Sequence, residues 1–136
     1  MEQDRIRVLS VDDHALLREG IATIIGFQPD MELVSQASGG KEAIEKYREY
    51  RPDVTLMDLR MPDLSGIDAL LVIRAEFPEA RIIILTTFEG DVEVRRAMDA
   101  GASGYLLKNI PPSELVQVIR QVHAGKKAGP SDRVVP

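Results

Sequence analysis

Short apolar runs and amphipathic stretches alternate along this chain. Ile6 to Val11 is apolar apart from Arg7 and Ser10, and beyond it Leu17, Ile21, Ile24 and Ile25 recur at i, i+4, i+7 and i+8. The first pattern predicts a buried strand and the second an amphipathic helix. Met31 to Ala37 predicts a second, weaker strand, Ser38-Gly39-Gly40 a turn, and Ala43, Ile44 and Tyr47 the inner face of a helix ending before Pro52. Val54 to Leu59 gives a third strand and Pro62 to Gly66 a loop; Ile67, Leu70, Leu71 and Arg74 to Phe77 give a helix stopped by Pro78. Arg81 to Leu85, with three consecutive isoleucines, is the clearest strand of all. It is short, β-branched and apolar past its first residue, which predicts a central position with both faces covered. Val94, Ala97 and Met98 mark a fourth helix closed by Gly101, a residue able to take the left-handed conformation of a helix C-terminus. Tyr105-Leu106-Leu107 is the fifth strand, and Pro111-Pro112 opens a last helix striped by Leu115, Val118, Ile119 and Val122.

Five strands in strict alternation with five helices predict an α/β fold, because right-handed crossovers lay such strands side by side in one direction. The expected architecture is a flavodoxin-like, doubly wound, five-stranded parallel sheet in the order 2-1-3-4-5, with helices on both faces. Residues 1–126 make one domain, and residues 127–136, rich in Gly and Pro and without periodicity, read as a linker or frayed tail.

That topology gathers chemistry. Loops leaving the carboxyl ends of adjacent strands meet in one crevice, so Asp12 and Asp13, Asp58, Thr86 and Lys108 are expected to face a single pocket. Three carboxylates repel one another, and a hard divalent cation that keeps some of its water relieves the repulsion. Oxygen ligands alone favour Mg²⁺ over zinc or copper. A carboxylate beside Mg²⁺, a hydroxyl and an ammonium can attack phosphorus, since phosphoryl transfer depends mostly on positioning and charge neutralisation. An aspartyl phosphate would result.

Composition narrows the field. A formal net charge of −5 argues against non-specific nucleic-acid affinity from this segment, and Lys126-Lys127 reads as a solvated helix end. There is no cysteine, and His14 and His123 lie too far apart in sequence to form a zinc motif. No apolar stretch reaches membrane-spanning length, and Met1-Glu2-Gln3-Asp4-Arg5 is charged where a signal peptide needs an apolar core, so a cytoplasmic protein without a membrane partner is expected.

Val11-Asp12-Asp13-His14, Met57-Asp58-Leu59-Arg60-Met61-Pro62, Leu85-Thr86 and Gly101-Ala102-Ser103-Gly104-Tyr105-Leu106-Leu107-Lys108 together resemble the signature set of bacterial two-component response-regulator receiver domains, the CheY-like fold. His14, Arg18-Glu19-Gly20 and Lys108-Asn109-Ile110-Pro111 further resemble the NarL/FixJ subgroup, whose members usually continue into a LuxR-type helix-turn-helix DNA-binding domain. The resemblance implies that Asp58 accepts a phosphoryl group from the histidine of a sensor kinase. It implies that Asp13, Asp58 and the backbone carbonyl of Arg60 bind Mg²⁺ with help from Asp12 through water, and that Thr86 and Lys108 hold the phosphoryl oxygens. Tyr105 becomes an aromatic switch following Thr86, the output is transcriptional regulation through a DNA-binding domain outside this chain, and phosphorylation is expected to favour a homodimer. The chain is then a phosphoacceptor rather than a metabolic enzyme. Where many receivers carry Pro after the lysine, this one has Asn109, and bulky Arg60 and Phe88 are expected to slow hydrolysis of the acyl phosphate.

Each residue has a plainer reading. Asp12 or Asp13 could cap the first helix, Asp58 end a strand in solvent, and Thr86 bond the local backbone. Lys108 could snorkel at the surface, and Tyr105 could pack with its hydroxyl in water. Four strand ends would then each present a site-type residue by coincidence. His14 carries no assigned chemistry, and His123 fits the dipole of the last helix. A stand-alone receiver acting through protein contacts is the nearest alternative. An Asp-nucleophile, Mg²⁺-dependent phosphohydrolase would need a second acid where Arg60 stands, and a flavin mononucleotide binder would set its phosphate against three acids.

Overall fold

The computed structural model describes residues 5–87 and 91–125. Strands and helices alternate along it as β1 (Ile6–Val11), α1 (Ala15–Gly26), β2 (Met31–Ala37), α2 (Gly40–Tyr50), β3 (Val54–Asp58), α3 (Gly66–Glu76), β4 (Ile82–Thr86), α4 (Asp91–Asp99), β5 (Gly104–Leu107) and α5 (Pro112–His123). The strands form one parallel sheet in the order β2-β1-β3-β4-β5.

The two-residue period of the strands divides the core between two layers. Leu9, Val11, Met57, Ile82, Ile84 and Tyr105 point into the cluster that also holds Ala43 and Tyr47 of α2, Leu70 and Ile73 of α3, and Ala97 of α4. Val8, Val54, Leu56, Ile83, Leu85 and Leu106 point the other way, onto Ile21 and Ile25 of α1 and Leu115, Ile119 and Val122 of α5. Strands covered on both faces lose the polar alternation of a half-exposed strand, which is why β3 and β4 read as continuous apolar runs. β4 is interior, but the middle place belongs to β3. Both are buried at every position, with Thr55 and Asp58 in β3 and Thr86 in β4 as their polar residues, so burial does not rank them.

Most element ends fall where the pattern predicts. β2 lies at the edge, with all five residues from Glu32 to Gln36 only partly covered or exposed beside the buried Met31 and Ala37, which accounts for its weak signal. Gly101 has φ +104° and closes α4, its N–H donating to the carbonyl of Met98 at 3.1 Å. Leu71 departs from the expected inner face of α3: it is 49 % exposed, while Ala69 and Leu70 are buried. The Lys108–Asn109 peptide is trans, as are all peptide bonds among the described residues. Phe88, Lys126-Lys127 and the expected tail over residues 127–136 lie outside the described residues. No helix among the described residues is long and apolar enough to cross a membrane.

Candidate functional site

Sheet register brings the expected residues together. Val11 pairs with Met57 across β1 and β3, so Asp12 and Asp58, each one residue further on, finish adjacent strands side by side. Asp58 pairs with Leu85 of β4, and Thr86 pairs with Leu107 of β5, which puts Thr86 and Lys108 at the same end of the sheet. Backbone bonds continue the ladder past the strand ends: the N–H of Asp12 donates to the carbonyl of Ala37 at 3.0 Å, that of Leu59 to Leu85 at 2.9 Å, and that of Lys108 to Thr86 at 2.8 Å. Parallel strands put all their C-termini on one edge, so residues separated by up to 96 positions become neighbours (108 minus 12).

The centre of the site is a buried charge triad. Lys108 Nζ lies 2.9 Å from Asp12 Oδ2 and 3.0 Å from Asp58 Oδ1, with the lysine side chain only 10 % exposed and Asp12 and Asp58 nearly inaccessible. Lys108 is therefore no snorkelling surface lysine. Burial alone would push its ammonium toward deprotonation, but the two carboxylates together outweigh that and hold its pKa above the ordinary lysine value. Burial pushes the Asp58 carboxyl up, Lys108 pulls it back through their hydrogen bond, and the nearby Asp12 charge raises it again, leaving it above the ordinary aspartate value. Two acids and one base leave an excess negative charge. Asp58 Oδ2 is buried and has no hydrogen-bond partner among the described residues. A carboxylate oxygen shut away from water with a free lone pair is suited to an incoming cation or electrophile.

Other site residues lie around this centre. Asp13 is partly exposed at the mouth, and its Oδ1 is 3.2 Å from His14 Nδ1. Asp12 Oδ1 accepts from the backbone N–H of His14 at 2.8 Å, and His14 Nδ1 lies 3.0 Å from the same oxygen. His14 is itself the N-cap residue of α1, with no side-chain cap bond, so neither Asp12 nor Asp13 plays the plain capping role. Thr86 is buried, and Tyr105 is wholly buried in the cluster under α2, α3 and α4. The reading of Tyr105 as strand packing with its hydroxyl in water is thereby excluded. Arg60 donates its backbone N–H to Asp58 Oδ1 at 3.4 Å and sends its exposed guanidinium to Glu93 of α4, also at 3.4 Å.

The site also depends on residues that the sequence did not single out for it. Arg18 on α1 donates to the carbonyl of Asp12, fixing the acidic turn from behind. Asp63 accepts from the backbone N–H groups of Gly40 at 3.0 Å and Lys41 at 3.1 Å, joining the loop after β3 to the start of α2. Gly66 opens α3 so close to the acceptor strand that a Cβ there would stand 2.2 Å from the carbonyl oxygen of Asp58. Gly66 could have been suspected from its place after the capping Ser65, whose hydroxyl accepts from the N–H of Asp68 at 3.1 Å. The close approach itself is visible only in three dimensions.

Asp12, Asp13, His14 and Asp58 each bring one potential ligand atom into a group whose members lie within 4.8 Å of one another. With the orphaned Asp58 oxygen, the donor set fits a small divalent cation.

The domain is thus an α/β sheet with a buried aspartate beside a lysine and paired acids at the carboxyl ends of its strands. Comparisons with known proteins show the family. The model of the response regulator receiver domain matches residues 8–120, and the chain belongs to that family. It is a signalling domain rather than a metabolic enzyme. The response regulator protein VraR of Staphylococcus epidermidis is 40 % identical over 121 residues, covering 89 % of this chain and 58 % of that protein. This chain thus spans little more than half the length of the curated relatives it matches. Among solved structures, a two-component response regulator of the LuxR family from Aurantimonas sp. SI85-9A1 superimposes with a TM-score of 0.88 at 41 % identity, over 91 % of this chain and 89 % of the other. A DNA-binding response regulator of the LuxR family from Staphylococcus aureus gives a TM-score of 0.82 at 28 % identity, over 87 % of this chain and 98 % of the other.

Proposed function

We propose that Asp58 is the phosphoacceptor of this receiver and that a sensor histidine kinase supplies the phosphoryl group. The observation that carries this reading is the unpartnered, buried Asp58 Oδ2 beside a lysine already paired to Asp58 and Asp12. Asp58 Oδ2 attacks phosphorus as the P–N bond of the phosphohistidine breaks, and the electron pair of that bond returns to the imidazole nitrogen. The product is an acyl phosphate. Asp13, Asp58 and the Arg60 carbonyl would hold Mg²⁺, with Asp12 helping through water. When bound, the ion neutralises charge developing on the phosphoryl oxygens. Lys108 exchanges part of its contact with Asp58 for a phosphoryl oxygen, and the Thr86 hydroxyl donates to another.

Output follows from a population shift. The added charge draws Thr86 toward the phosphoryl group, Tyr105 adjusts in the layer that it shares with Ala97 of α4, and the surface of α4 and β5 changes. The LuxR-family likenesses and the share of VraR covered by this chain support transcriptional regulation through a DNA-binding segment outside it. A phosphorylation-favoured homodimer is the active form under this reading. Hydrolysis of the acyl phosphate is slowed by the bulk of Arg60 and Phe88; replacing both with small polar residues shortens the phosphoryl lifetime, and an unchanged lifetime overturns that part.

Labelling with acetyl phosphate tests the acceptor. Wild type takes up one phosphoryl group and Asp58→Asn none; a variant labelled elsewhere at the same rate overturns the assignment. Beryllofluoride with Mg²⁺ tests the switch by NMR, where shift changes around Tyr105 and α4 are expected and their absence refutes the coupling.

A further inference from the structure

The pocket contains a donor that an oxygen-only Mg²⁺ site does not need. His14 Nδ1 points into the acidic cluster, 3.0 Å from Asp12 Oδ1 and 3.2 Å from Asp13 Oδ1. For metal–ligand bonds of about 2.1–2.2 Å, neighbouring donors on an octahedron are about 3.0 Å apart and opposite donors about 4.3 Å apart. The spread of the four-residue group, within 4.8 Å, is close to that geometry. The buried Asp58 Oδ2 has no partner among the described residues, so this member of the group keeps an acceptor free for a cation while the chain is unphosphorylated. Lys108 does not take that acceptor, since its ammonium engages Asp12 Oδ2 and Asp58 Oδ1.

We propose that His14 Nδ1 is a direct ligand of the divalent cation in this pocket, so that the site prefers a first-row transition ion such as Mn²⁺ over Mg²⁺. The inference rests on the reading of the pocket as a cation site and adds one ligand and a selectivity to it. Mg²⁺ gains little from nitrogen and favours oxygen donors, whereas imidazole binds ions progressively better from Mn²⁺ toward Cu²⁺. An imidazole therefore separates the two classes where a further carboxylate would strengthen both. The local cost is small. The ring is 67 % exposed, and the Asp12 oxygen that faces Nδ1 keeps the backbone N–H of His14 as a donor if the ring turns to an ion. Position favours it too: His14 is the N-cap of α1, and its backbone N–H bonds Asp12 Oδ1, which holds the residue beside the acids.

The experiment uses Mn²⁺ and Mg²⁺ themselves on the unphosphorylated chain. Pulsed electron paramagnetic resonance of bound Mn²⁺ reports directly coordinated nitrogen through ¹⁴N modulation, and calorimetric titration reports both affinities. Wild type is expected to show the nitrogen coupling, and His14→Ala to lose it. The same variant is expected to bind Mn²⁺ at least about tenfold more weakly while its Mg²⁺ affinity changes less than about twofold. His14→Gln, which keeps a polar side chain without imidazole, is expected to behave as His14→Ala does. Mn²⁺ bound without nitrogen coupling, or equal losses for both ions, overturns the role of His14 and leaves the cation pocket standing. Failure of wild type to bind either ion overturns the pocket reading as well.

Discussion

Burying the charged Asp58 carboxylate costs the fold stability. Its carboxyl pKa is raised in the fold, first by burial, so its contribution to stability is fully present below the unfolded-state value and is lost as pH rises through the folded value. At neutral pH the charged form is therefore a net burden. Asp58→Asn should raise the stability of the metal-free protein by about 1 kcal/mol while abolishing phosphorylation. Urea denaturation at pH 7 checks the first half, and a loss of stability would mean that Lys108 binds Asp58 more strongly than burial opposes it. Lys108→Met should do the reverse, costing roughly 3 kcal/mol by leaving Asp12 and Asp58 facing each other without a counter-charge. Adding Asp58→Asn to it should recover much of that loss, which a double-mutant cycle measures. At Gly66, a methyl group has nowhere to go, because the obstacle is the backbone carbonyl of Asp58 rather than a movable side chain. Gly66→Ala should slow acetyl phosphate labelling as well as lower the melting temperature, and unchanged labelling would show that α3 can shift without moving Asp58.

Among the elements, α2 has its amino end tied to the loop after β3 by the Asp63 carboxylate. Gly39, its N-cap residue, supplies no side-chain cap, and Asp63 from the loop after β3 takes over by accepting from Gly40 and Lys41. Those backbone bonds hold the Asp63 carboxyl below its ordinary value of 3.8. The stabilisation is thus present above about the unfolded-state value and fades as pH falls through the folded one. Asp63→Ala should cost about 1 kcal/mol, the usual worth of a cap, and hydrogen exchange should quicken at the amino end of α2 before the rest of the helix. The difference from wild type should vanish in acid. Which residues face inward was readable for α5, where Leu115, Val118, Ile119 and Val122 are all buried as their spacing implies. In α3 the same reasoning included Leu71, since Ile67, Leu70 and Leu71 are apolar at spacings compatible with one face. Covered by only part of its circumference, α3 leaves Leu71 and Val72 toward solvent, and periodicity alone does not say how wide the covered stripe is.

For the whole molecule, the excess negative charge of the triad makes stability responsive to cations. An ion that binds the folded chain and not the unfolded one stabilises it by mass action, by about 2.7 kcal/mol at a hundredfold excess over Kd. Mg²⁺ should therefore raise the melting temperature of wild type and do so much less for Asp13→Asn or Asp58→Asn. Equal responses in all three would place the ion elsewhere. The same charge explains why the site lies at a sheet edge. Strand ends can bring carboxylates together while the hydrophobic layers beneath them, rather than the charges, hold the strands in place.

Alternation of apolar runs with amphipathic stretches determined the fold class from sequence alone, because burial of both sheet faces leaves a pattern in every strand and helix. The identities of Asp12, Asp13, Asp58, Thr86 and Lys108 were likewise legible, each standing where an apolar run stops. Tertiary structure decided what those residues touch. Register across β1, β3, β4 and β5 set Lys108 between Asp12 and Asp58, left Asp58 Oδ2 without a partner among the described residues, and turned His14 into the cluster. Such contacts join positions far apart in the chain through sub-ångström placement of the backbone, and no local spacing encodes that distance.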